Sequence, residues 1–215
     1  MGNVVDTIPA NRHVLVCGMT GTGKSYLCEN YLRGYKYVVK LDTKDETDER
    51  YADGKSPWNG LIENRDFTVC RNLEELDDIE TDKIIYVPPY DDQTPEKFDH
   101  FFNWIFERGN TILWIDELMS IGSVQSYPRG LGRIMQQGRS KGIGVWACTQ
   151  RPSGIPSCVP ANSTYFFVFD MALPQDRKKL VETTGMLEMY DMPTGYNFWY
   201  YKMGDRKCVK AVLRG

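Results

Sequence analysis

The chain has 215 residues, a formal net charge of −3 from 26 basic and 29 acidic side chains, and six cysteines. That length suits one α/β domain with a sizeable core and is short for two, and the charge excludes a uniformly basic nucleic-acid binder. Cys17, Cys28, Cys70, Cys148, Cys158 and Cys208 show neither C-x-x-C nor zinc-ligand spacing, which points to reduced thiols, and no apolar run approaches the length of a membrane span, so a soluble chain is expected.

The apolar run His13–Cys17 reads as a strand, and Gly18-Met19-Thr20-Gly21-Thr22-Gly23-Lys24-Ser25 after it fits the pattern G-x-x-x-x-G-K-[ST]. Glycines let consecutive N–H groups turn into one anion nest. The helix expected over Tyr26–Leu32 adds the positive end of its dipole. A nucleoside triphosphate is therefore expected along Gly18–Ser25 and Tyr26, with Lys24 at the β and γ phosphates and the Ser25 hydroxyl on Mg2+.

Further strand-length apolar runs follow at Tyr35–Leu41, Phe67–Cys70, Lys83–Val87, Asn110–Ile115, Gly144–Thr149 and Thr164–Phe169. Several are apolar at nearly every position, as in a parallel sheet covered on both faces. Between Asp42 and Asn64 the acids, Gly and Pro read as a polar insertion and a mobile loop. Pro95–Arg108 spaces Phe98, Phe101, Phe102, Ile105 and Phe106 on one helical face, a core stripe, with Pro95 in the first turn and Gly109 at the end.

Ile112-Leu113-Trp114-Ile115-Asp116-Glu117 is a strand ending in two carboxylates. It is expected directly beside the strand that feeds the phosphate loop, with its acids at the ligand-binding edge of the sheet. Asp116 there holds Mg2+, directly or through water, and Glu117 takes a proton from, or orients, the water attacking the γ phosphate. Helices are expected at Arg129–Lys141, despite Gly130 and Gly132, and from about Pro174 to Thr184. Between them, the strand Gly144–Thr149 ends in Thr149-Gln150-Arg151-Pro152. Thr149 or Gln150 can hydrogen-bond the γ phosphate or the water; the alternative is a capped turn enforced by Pro152.

Tyr196–Lys202 and Lys207–Leu213 flank Gly204-Asp205 as a hairpin, and Tyr196–Tyr201 offers one wall for the adenine. From Leu118 to Phe169 there is no acid, while Arg129, Arg133, Arg139, Lys141 and Arg151 all fall there. Either this segment faces something anionic, or it is core and loop with scattered bases. Alternating strands and helices give a single α/β domain over residues 1–215, with the insertion at about 42–64 and the C-terminal helix and hairpin at about 174–213.

Trp114-Ile115-Asp116-Glu117, Gln137-Gly138-Arg139-Ser140-Lys141-Gly142-Ile143-Gly144-Val145 and Thr149-Gln150-Arg151-Pro152-Ser153-Gly154-Ile155-Pro156 together resemble the FtsK–HerA superfamily of double-stranded DNA pumps. Within it they look most like the small viral genome-packaging ATPases of short-tailed phages. With the phosphate loop the resemblance spans Val14 to Pro156; Leu173–Leu213 fits more loosely. It implies a RecA-like (ASCE) P-loop fold, a mostly parallel central sheet flanked by helices with a C-terminal β-hairpin. It also implies a homo-oligomeric ring around double-stranded DNA, ATP between neighbours, and an arginine finger supplied in trans. Arg139 is the first choice for that finger and Arg133 the reserve.

The implied activity is ATP hydrolysis coupled to DNA translocation into a viral capsid, at a portal or connector, in the host-cell cytoplasm at the assembling virion and without a membrane. A minimal motor or an isolated ATPase domain fits this length. Such a ring grips phosphates without base readout. Candidate DNA contacts are Lys44, Arg50 and Lys55 in the insertion and Arg129 after Glu117; the acids around the first three leave them equally readable as solvated surface. Rival readings are an assembly or secretion ATPase acting on protein, as in filamentous-phage extrusion, and a small P-loop kinase, which would not need Glu117. A GTPase switch lacks its N-K-x-D motif, and the paired acids argue against a scaffold without turnover.

Overall fold

The computed structural model describes residues 7–213. The 1–215 span expected for the single domain takes in residues 1–6 and 214–215, which lie outside the described residues. Seven strands run parallel: β1 (Val14–Cys17), β2 (Val38–Leu41), β3 (Phe67–Cys70), β4 (Lys83–Tyr86), β5 (Ile112–Ile115), β6 (Gly144–Thr149) and β7 (Tyr165–Val168). β8 (Asn197–Lys202) and β9 (Val209–Val212) extend the sheet as an antiparallel hairpin, with Gly204 at φ 96° in its turn. The order across the sheet is β3-β4-β2-β5-β6-β1-β7-β8-β9. The fold class is thus the one expected: an open, mostly parallel sheet with flanking helices and a C-terminal hairpin.

All residues of β1, β2, β4, β5, β6 and β7 are buried, which explains their lack of alternation: both faces of the sheet are covered. One face carries α1 (Lys24–Leu32) and Trp58 against Val14, Val16 and Trp114. The other carries α3 (Pro95–Arg108), α4 (Arg129–Gln137), α5 (Cys158–Asn162) and α6 (Pro174–Thr184) against Leu15, Leu113 and Val145. In α3 the five aromatic and aliphatic residues of the expected stripe are all buried, Thr94 caps the start and Gly109 (φ 62°) ends it. Gly130 is required where α4 crosses α3: a Cβ there would lie 2.7 Å from Phe102 Cβ. Among the described residues no helix is long and apolar enough to cross a membrane.

Two expectations are corrected. β5 does not lie beside β1; β6 stands between them. The polar stretch after β2 is also not a mobile loop, because it holds α2 (Glu46–Ala52) and the fully buried Trp58. Its composition is polar because it folds through buried carboxylates as well as through Trp58. Buried Asp42 accepts the N–H groups of Lys44 (3.1 Å) and Thr47 (2.8 Å) and the Thr47 hydroxyl (2.7 Å).

Candidate active site

The phosphate loop joins the C-terminal end of β1 to the N-terminus of α1. Gly21 (φ 79°) and Gly23 (φ 102°) occupy the left-handed region that side chains avoid, and a Cβ at Gly18 would fall 2.6 Å from Phe169 Cβ. The loop is pinned to its neighbours in the sheet: Gly18 N–H donates to the Thr149 carbonyl (3.1 Å) and Met19 N–H to that of Asp170 (2.9 Å). Lys24 Nζ curls back to donate to the Met19 carbonyl at 2.9 Å.

Carboxylates from β5 meet this loop across β6. Ser25 Oγ donates to Asp116 Oδ1 at 3.1 Å. Asp116 is buried, and burial pushes its carboxyl above the ordinary aspartate value, with the Lys40 and Lys44 charges pulling the other way. Gln150, just past the end of β6, bridges the two halves: Thr20 Oγ1 donates to its Oε1 (3.1 Å), and its Nε2 donates to Glu117 Oε2 (3.2 Å). Thr149 is not brought in with it. Its side chain is fully buried and its hydroxyl accepts the Arg151 N–H at 3.0 Å, so it caps the turn.

Thr20, Lys24, Ser25, Asp116 and Gln150 line one cavity of about 500 Å³. Its polar lining is Lys24, Ser25, Asp116, Gln150 and Lys44, and its apolar lining is Tyr26, Tyr196 and Leu213. Tyr196 was anticipated as an adenine wall; Leu213, held by its N–H to the Tyr196 carbonyl at 3.0 Å, carried no sequence signal.

The cations offered as DNA contacts divide into two groups. Lys44 is exposed but already paired: its Nζ lies 2.9 Å from Glu117 Oε2. Burial alone pulls the Lys44 ammonium down, but the hydrogen bond and charge of Glu117, with Asp116 behind it, carry it above the ordinary lysine value. Arg50 is turned inward, to Glu29 Oε1 on α1 (2.6 Å) and to Glu46 Oε1 (3.1 Å). Glu46 in turn holds Lys40, a fully buried lysine of β2, at 3.0 Å. Both cations are therefore held by desolvated acids of their own chain, Arg50 by Glu29 and the still exposed Lys44 by Glu117. Lys55, paired to Asp53 at 2.8 Å, and Arg129 remain exposed.

Arg139 stands far from its own phosphate loop. It lies in the 3-10 turn Gly138–Lys141 that leads into β6, at the sheet edge opposite Gln150, and is exposed. Six residues of strand at about 3.3 Å each keep it on the order of 20 Å away. Arg133 is nearer to Arg139 than to the loop: it pairs with Glu107 (3.5 Å), which also holds Lys141 (3.2 Å). The charge of Arg139 adds to burial in holding His13 down at about 4, so His13 is neutral and its Nδ1 accepts the Val145 N–H at 3.1 Å.

The family model of the ATPase family associated with various cellular activities (AAA) matches residues 14–165, from β1 to the start of β7. The chain belongs to the AAA family. This AAA protein is accordingly an ATPase. Its fold is similar to that of the genome packaging NTPase B204 of Sulfolobus turreted icosahedral virus 2 in complex with ATPγS (TM-score 0.74, 15% identity, 94% of this chain and 98% of that one). It is also similar to B204, the DNA-packaging ATPase of Sulfolobus turreted icosahedral virus (TM-score 0.71, 19% identity, 94% and 98%). The pCW3 conjugation coupling protein TcpA matches less closely (TM-score 0.57, 15% identity, 94% and 60%). No curated protein matches the sequence.

Proposed function

We propose that this AAA ATPase hydrolyses ATP to move double-stranded DNA, packaging a viral genome into a capsid. The observation that carries the hydrolytic reading is the hydrogen-bonded chain from Thr20 through Gln150 to Glu117, which ties the phosphate loop to a carboxylate across β6. ATP lies with its phosphates along Gly18–Ser25 and its base toward Tyr26, Tyr196 and Leu213. Lys24 leaves the Met19 carbonyl for the β and γ phosphates. Glu117 orients the attacking water, and Gln150 registers whether a γ phosphate is there.

The donor set also fits Mg2+. Ser25 and Asp116 offer a hydroxyl and a carboxylate 3.1 Å apart, hard oxygens of the kind this ion takes in small number while phosphates and water complete its shell. Bound there, Mg2+ would neutralise charge on the β and γ phosphates.

Arg139 is the finger in trans. Its distance from its own loop leaves a neighbour's γ phosphate as the one it can serve, which requires a homo-oligomeric ring of the FtsK–HerA kind. The near end-to-end likeness in fold to B204, a genome packaging NTPase by name, supports the packaging reading; the motor would act as a single ATPase domain at a capsid portal or connector in the host-cell cytoplasm. Lys55 and Arg129 are the exposed cations left to meet DNA phosphates. The deciding experiment is the ATPase rate with and without double-stranded DNA across a salt series. Stimulation that fades with salt is expected, because phosphate contacts release counterions; a flat response would favour a protein cargo.

A further inference from the structure

The pairing of β2 with β5 brings to the site a cation that the phosphate-loop motif does not contain. Leu41 is in register with Ile115, so the residues after each strand emerge together at the same sheet edge. Lys44 is fixed at its main chain by Asp42, which accepts its N–H at 3.1 Å. Its side chain lines the same cavity as Lys24, Ser25, Asp116 and Gln150. Its Nζ meets Glu117 Oε2 at 2.9 Å, the same oxygen to which Gln150 donates at 3.2 Å. The Lys44 side chain keeps 41% of its exposure, whereas that of Lys40, paired with Glu46, has none. The Lys40 ammonium is sealed from solvent, whereas Lys44 opens onto the cavity where phosphates would lie.

We propose that Lys44 is a second phosphate-binding lysine of the ATP site, which exchanges Glu117 for the γ phosphate when the triphosphate binds. This rests on the reading of the cavity as a triphosphate site. A terminal phosphate carries about −1.5 to −2 charges near neutral pH against one on Glu117. The lysine stem is a flexible four-carbon arm with a point charge at its end, suited to moving between two anions a few ångströms apart. The exchange also frees the Glu117 carboxylate for the water. ADP has no γ group and leaves the Lys44–Glu117 pair in place.

The test compares ADP and ATPγS affinities by calorimetry, with Mg2+, for the wild type, Lys44→Met, Glu117→Gln, their double variant and Lys24→Ala. Lys44→Met should weaken ATPγS about tenfold, the scale of one charge-assisted hydrogen bond, and leave ADP within about twofold. Glu117→Gln removes the competing anion and should tighten ATPγS several-fold, a gain absent from the double variant. Lys44→Arg keeps the charge and should keep the preference for ATPγS. Unchanged ATPγS binding in Lys44→Met, or an equal loss for both nucleotides, overturns the inference. Lys24→Ala separates the two levels: loss of both nucleotides upholds the site itself, and retained affinity removes the site and this exchange with it.

Discussion

Arg50 tests how the region after β2 is held, because sequence and structure assign it opposite roles. Its guanidinium lies 2.6 Å from Glu29, whose side chain is 1% exposed, and 3.1 Å from Glu46. Arg50→Met removes the cation and leaves Glu29 with Asn59, whose Nδ2 donates at 3.1 Å. Breaking a buried pair from one side costs about 3–5 kcal/mol. The Arg50 side chain is still 18% exposed and Glu46 keeps Lys40, so the low end, about 3 kcal/mol, applies. The loss should also depend on pH. Burial already holds the Glu29 carboxyl above its ordinary value of 4.5 although Arg50 pulls it down, and without Arg50 it rises further. A carboxyl whose folded value exceeds its unfolded one lowers stability as pH climbs from the unfolded value through the folded one. The deficit is therefore full at neutral pH and shrinks as Glu29 becomes protonated in the fold. Urea unfolding at about pH 7.5 and about pH 5.5 measures both parts at constant m. Glu29→Gln in the same chain should restore part of the stability, since no unpaired charge remains. A deficit under about 0.5 kcal/mol at neutral pH, joined to weaker DNA binding, would refute the inward role and return Arg50 to the surface.

Three further outcomes are expected. Glu117→Gln should retain ATP binding and lose about 10²–10⁴-fold in kcat, the range for a positioned general base; normal turnover would remove Glu117 from that role. Arg139→Ala subunits and Glu117→Gln subunits, each inactive alone, should regain activity on mixing, because a mixed interface pairs an intact finger with an intact base. No recovery at any ratio would make Arg139 structural. Gly130→Ala inserts a Cβ 2.7 Å from Phe102 Cβ and 3.3 Å from the Asp99 carbonyl, so it should cost about 1–3 kcal/mol and lower the melting temperature by several degrees. An unchanged melting temperature would mean that α3 and α4 are free to separate.

What could be read from the sequence is what is written locally. The apolar runs of β1, β5 and β6 need no partner to declare themselves, since burial on both faces makes nearly every residue apolar. The phosphate loop and the stripe of α3 are likewise contained in windows of a few residues. Strand order is different, because it depends on where each crossover lands. Nothing in Ile112–Glu117 indicates that β6 will intervene before β1, and two strand spacings are about 10 Å. The Ser25–Asp116 contact spans that gap because α1 packs over β6, with Cys28 Sγ 3.5 Å from Cys148 Sγ.

Charge was the least legible property, for a physical reason. A lysine or arginine looks the same in sequence whether its anion is solvent, DNA or a buried carboxylate. Lys40 sits in a wholly buried strand, over the Trp114 ring at 4.6 Å, and only the fold supplies Glu46 to make that tolerable. Lys44, four residues on, reads as one more polar residue among acids until β2 and β5 pair and bring Glu117 to it. The one clue available earlier is positional. Parallel strands present their following residues at one edge, so any cation just past β2 is a candidate for whatever acid follows the neighbouring strand. That clue needs the adjacency of β2 and β5, which is a property of the fold, and so this part of the site became readable only after the sheet was known.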